Sequence, residues 1–149
     1  MLARPTYAQM FRAVTQAVVI DEPPHGEPAA DAAAILAALR SGRAFSVVTG
    51  LGGPAALEYT ATRGEFLARM GDRLPPGGPV TFSAHVPEAA GVEIALLRDG
   101  QPVASGRGRL THSEAGAGVY RVEARWPGAV VPWLVSNPIA VGQEAPAAP

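Results

Sequence analysis

Two hydrophobic periods divide the chain. Over residues 5–16 the apolar positions Tyr7, Met10, Phe11 and Val14 recur at i, i+3, i+4 and i+7, the spacing of one helix face, and Thr6 with Gln9 makes a capping box. Val18-Val19-Ile20 is then a short apolar run stopped by Asp21-Glu22-Pro23-Pro24, which predicts a brief strand. Pro28 near a first turn and Gly42 just past a last one bracket a second helix, with Ala32, Ile35, Leu36 and Leu39 as its expected packing stripe. Arg43–Thr49 reads as a strand, and Gly50-Leu-Gly-Gly-Pro54 as a flexible connection.

Beyond residue 54 the period drops to two. Leu57 and Tyr59 alternate, as do Val80, Phe82, Ala84 and Val86, and again Val92, Ile94 and Leu96. Asp99-Gly100 lies between two such runs, and a type I′ hairpin turn needs positive φ at both of its central residues. Pro75–Pro79 and Ser113–Gly118 read as loops, and Ser105-Gly-Arg-Gly108 as a turn. Gly118-Val-Tyr-Arg-Val122 has the spacing of a tyrosine corner, in which a Tyr near the start of a strand bonds back to the backbone upstream. Tyr120, Val122, Ala124 and Trp126 share one face of that strand.

The expected fold is mainly β, α+β overall: an immunoglobulin-like antiparallel β-sandwich preceded by a short helix-strand-helix-strand lead. The expected division is a lead at 1–53, the sandwich at 54–142 and a disordered tail at 143–149. The lead also has the pattern of the end of an α/β unit, whose parallel strands need partners on both sides. On that reading, part of its sheet lies upstream.

Composition then removes function classes. Cysteine is absent, which excludes disulfides, Cys-ligated zinc and thiol catalysis. The formal net charge is −1, so nothing in the charge balance calls for a nucleic acid or an anionic membrane as partner. All 12 basic residues are arginine, a bias that fits the Ala-, Gly- and Pro-rich composition better than a dedicated anion-binding role. No segment has the pattern of a signal peptide or a membrane span; with Met1 as the native start, the expected compartment is the cytoplasm.

Candidate chemistry is thin. His25, His85 and His112 fall in separate segments with no metal-ligand spacing, so no metal and no cofactor is expected. Thr49–Pro54 is glycine-rich after a strand but lacks the Gly-Lys-Ser/Thr close of a phosphate loop. Glu58, Glu65, Asp72, Glu88, Glu93, Glu114 and Glu123 read as solvated surface groups, and no serine sits in a nucleophile motif, so no catalytic residue is expected. Trp126 reads as core. Trp133 reads as core ahead of a stacking platform, and Trp133, Ser136, Asn137 and His85 are the residues left as a possible ligand or partner surface.

The run Asp31–Phe45, then Gly53–Tyr59, Met70-Gly-Asp72, Leu97-Arg-Asp-Gly100, Gly118–Val122 and Pro132-Trp-Leu-Val-Ser-Asn-Pro-Ile139, resembles the C-terminal portion of bacterial PHP (polymerase and histidinol phosphatase) superfamily proteins. The nearest type is the metal-dependent phosphoesterase whose metal-binding barrel is followed by a β-rich extension. The family's His-x-His and late Asp-x-His ligands do not occur here, so the resemblance carries no catalytic residue across. It implies a non-catalytic accessory module, partnered by a PHP-type barrel in cis or in trans, or self-associating through the lead. The alternative is a self-standing immunoglobulin-like module that binds a carbohydrate, peptide or protein.

Overall fold

In a computed structural model, residues 13–142 are described; the helix expected at 5–16 and the tail at 143–149 fall almost wholly outside them. The described residues form twelve strands: β1 (Thr15–Val18), β2 (Ala44–Val47), β3 (Glu58–Arg63), β4 (Phe66–Arg69), β5 (Arg73–Leu74), β6 (Val80–His85), β7 (Glu93–Arg98), β8 (Gln101–Arg107), β9 (Arg109–Glu114), β10 (Gly118–Arg125), β11 (Leu134–Ser136) and β12 (Ile139–Val141). Helix α1 (Pro28–Arg40) precedes most of them, and a single helical turn, α2 (Thr49–Gly52), follows β2.

Two antiparallel sheets pack as a sandwich. One runs β1-β2-β11-β10-β7-β8 and the other β9-β6-β3-β4. The ribbon passes from one to the other at Gly108, where the Arg107–Arg109 pair is the sole register pair between β8 and β9. Strands whose apolar residues alternate must bury one face, and the inner faces here supply Ile94, Leu96, Tyr120, Val122 and Leu134 against Tyr59, Phe82 and Ala84. The Phe82 and Tyr120 rings stack across the gap at 4.3 Å between centroids.

Much of the period-two pattern holds. Asp99 (φ 51°) and Gly100 (φ 84°) turn β7 into β8 with both central residues at positive φ. Tyr120 donates from Oη to the Gly116 carbonyl, four residues upstream, at 2.6 Å, the bond expected of a tyrosine corner. Other expectations need correcting. Ser105–Arg107 belongs to β8, and only Gly108 turns, because its backbone bonds to Val92 and Val86 hold the corner. The 113–118 loop shrinks to three residues, since β9 runs on to Glu114. β1 and β2 pair antiparallel with one another, and β2 pairs antiparallel with β11, so the lead's strands extend the sandwich's sheet instead of starting a parallel one.

The stripe expected to pack on α1 is exposed. Ala38 is the helix's one buried residue, and Ile35, Leu36 and Leu39 are 41%, 49% and 43% exposed. The other alanines are exposed too, so the helix lies against the strands with little packing on any side.

The closing strand is where lead and sandwich meet. β11 pairs with β10 at Ala124 and Glu123, and β12 pairs with it at Tyr120 to Gly118, with the register displaced by one residue between the two. Pro138 has no N–H to give, and the ladder breaks there. Ser136 Oγ takes the place of the lost backbone acceptor and receives Val122 N–H at 2.8 Å. The bulge then reaches outward: Asn137 Nδ2 donates to the Gly42 carbonyl at 3.0 Å, Asn137 N–H to Ala44, and Pro138 C=O receives Gly71 N–H at 2.8 Å. Gly71 lies so close to the end of α1 that a Cβ there would overlap the Ser41 carbonyl oxygen.

A matched pair of substitutions isolates that approach. Gly64 and Gly71 both have positive φ (57° and 87°), but a Cβ at Gly64 meets open space. Gly64→Ala is expected to cost about 1 kcal/mol from backbone strain alone, and Gly71→Ala about 3 kcal/mol or more. Urea unfolding midpoints at unchanged m-value measure both, and equal losses would contradict the close contact.

Candidate functional site

The four residues left by the sequence as a ligand surface do not come together. Trp133 is 2% exposed, and its Nε1 donates to the Gly53 carbonyl at 3.2 Å. Ser136 is buried and fills the ladder gap beneath Val122. Asn137 is half-buried and ties the bulge to Gly42. All three are joints of the fold. His85 is on the other sheet, at the outer face of β6, with Nδ1 3.1 Å from Glu58 Oε2 across the β3–β6 pair.

The tryptophans explain the glycine-rich stretch. Trp126 and Trp133 lie 5.2 Å apart at a 39° tilt. Gly52 sits against both indole nitrogens, where a Cβ would clash with each. Thr49–Gly52 is therefore a helical turn seated on the aromatic pair through Gly52, not the free linker that the composition suggests. Trp126 packs against the core but keeps a buried Nε1 without a hydrogen-bond partner.

One buried charge departs from the surface reading of the carboxylates. Glu123 is 6% exposed on the outer face of β10, between Arg121 and Arg125 two residues to either side on that face. Burial raises its pKa, and bonds from Arg125 (2.7 Å) and Arg121 (2.8 Å) outweigh it, so the carboxyl stays below its ordinary range. Glu114 is also held low, chiefly by the Gly116 N–H and then by His112 and Arg98. Tyr59 is pushed up by burial and donates to the Tyr120 carbonyl at 3.1 Å.

A second charged cluster has no local signature in the sequence. The strap between β1 and α1 carries Asp21, whose Oδ2 receives Arg43 Nη1 at 2.5 Å and whose Oδ1 receives Arg69 Nη1 at 2.6 Å. Arg43 enters β2 at its start and Arg69 ends β4, so the clasp links the two sheets. The bond from Arg43 does most to hold the Asp21 carboxyl below its usual range. Asp21 is separated by 22 residues from Arg43 and by 48 from Arg69, which is why spacing rules do not find the group.

Histidines and acids do not build a metal centre: among the described residues, no three His, Asp or Glu side chains group together in a way that holds an ion. No helix among them is long and apolar enough to cross a membrane. Compared with known proteins, the chain matches no family model, no curated protein and no solved structure.

Glu123→Gln probes the buried carboxylate. A group with a depressed folded pKa contributes stability above its unfolded value, near 4.3, and loses it as pH falls through the folded value. At neutral pH the variant is expected to be less stable by about 1–2 kcal/mol. The gap from the parent chain should narrow as pH falls below about 5, followed by thermal unfolding at successively lower pH; a gap that is independent of pH would contradict the charge assignment.

Proposed function

We propose that this chain is a non-catalytic accessory module of the kind that follows the metal-binding barrel in PHP-type phosphoesterases, with α1 as its docking layer. The observation that carries the reading is the exposed apolar stripe of that helix. Ala38 is its one buried residue, and Ile35, Leu36 and Leu39 remain more than two-fifths exposed. An apolar helix face of that size is the expected surface for a partner layer.

The stretches that resemble the family support the same reading. Asp31–Phe45, Met70-Gly-Asp72 and Pro132–Ile139 are far apart in sequence, yet they converge where Asn137 meets Gly42 and where Pro138 meets Gly71. These residue types serve there to join the lead to the sandwich as one unit. We read the sandwich as immunoglobulin-like because Tyr120 and its bond to Gly116 stand two residues before the core position Val122. A carbohydrate platform is the weaker reading, since the aromatic residue best suited to one, Trp133, is inside.

The test uses a PHP-type barrel encoded beside this chain, produced separately and mixed with it. Ile35→Asp with Leu39→Asp is expected to leave unfolding nearly unchanged, because both positions are exposed, and to weaken association at least about tenfold by light scattering or calorimetry. Unchanged association in the double variant, or the absence of any such barrel from the surrounding genome, would sink the proposal.

A further inference from the structure

The strap that carries Asp21 crosses a cleft. On one side, a hollow of about 420 Å³ is walled by Ala34, Ala37 and Ala38 of α1. On the other, a hollow of about 580 Å³ is walled by Val19, Ile20, Glu58 and Thr60, with Leu57, Tyr59 and Met70 buried at its base. Both share Val19, Ile20, Asp21 and Arg43, so the clasp stands between them. Volumes of this size are those of small-molecule sites, which combine apolar walls with a few convergent polar groups.

The convergent groups are two guanidiniums on one carboxylate. Each Asp21 oxygen takes one, and Arg43 keeps a further buried donor, Nε, with no partner. The other acids at the cleft are already engaged: Asp31 by the His25 and Gly26 N–H groups, Glu58 by His85, and Glu22 by the His25 ring. The two cations are fixed by strands, whereas Asp21 rides on the strap and its side chain is 57% exposed. Next to it, Pro23 and Pro24 have no backbone N–H with which to fasten that strap. A planar two-oxygen anion matches a pair of guanidinium forks, and the least anchored anion is the one a ligand displaces.

We infer that the cleft binds a small organic oxyanion with an apolar body, the oxyanion replacing Asp21 between Arg43 and Arg69 and the body lying against Val19 and Ile20. This goes beyond the docking of α1 and does not depend on it, since Ile35, Leu36 and Leu39 are not among the residues that wall the cleft.

Benzoate and phenyl phosphate, titrated into the whole chain at low ionic strength with amide chemical shifts as readout, test it, and the tighter of the two identifies the oxyanion. Asp21→Asn removes the competing charge and is expected to bind about tenfold more tightly than the parent chain; Arg69→Gln should bind about tenfold more weakly. Neutral benzyl alcohol should leave the shifts unchanged. Asp21→Ala serves as the second variant if the asparagine still occupies the clasp. No saturable binding of either anion by Asp21→Asn and Asp21→Ala up to about 10 mM, or equal binding by Arg69→Gln, would overturn the inference.

Discussion

The interaction on which the rest depends is the broken ladder at Ser136-Asn137-Pro138. A closing strand that paired along its whole length with β10 would bury its polar backbone and leave nothing free to reach the lead. Proline interrupts it, Ser136 fills the gap within the sheet, and Asn137 and the Pro138 carbonyl turn outward to Gly42 and Gly71. Three far-apart pieces of chain are fixed by one irregularity. Each bond at it is worth only about 1 kcal/mol net, but leaving any of these buried groups unmade costs more, so the junction is cooperative.

That junction fixes where the helix ends. Gly71 is pressed on the Ser41 carbonyl just past its last turn, while Ile35, Leu36 and Leu39 stay exposed. Beside the helix, the strap carries Asp21, which bridges arginines from the two sheets.

Much of the sandwich was legible in the sequence because its signals are local. The alternation at 80–86 and 92–96, the Asp99-Gly100 turn and the tyrosine spacing each depend on residues within a few positions of one another. What the sequence hid is long-range. Periodicity marked an apolar stripe on α1 but not whether it packs, because burial depends on what lies against it, and the described strands cover only Ala38. Composition made Gly50–Pro54 a linker, whereas two tryptophans more than seventy residues away leave no room for a side chain at Gly52. Ser136 and Asn137 stood out by type and neighbourhood, and their polarity is spent on backbone groups that no local pattern reveals. Asp21, Arg43 and Arg69 gave no signal at all, since nothing in their spacing brings two sheets together.

The single link between β8 and β9 makes the two sheets one ribbon folded at Gly108. Besides the two-residue β5, the ribbon's open edges among the described residues are β1 and β4 at its ends and most of β8 and β9, which pair only at Arg107–Arg109. Phe66 and Leu67 are more than half exposed on β4, while no Pro, Lys or bulge blunts that strand. Of these edges, β4 is the one that carries large exposed apolar side chains, so the polymerisation hazard gathers there, beside the Arg69 that Asp21 clasps.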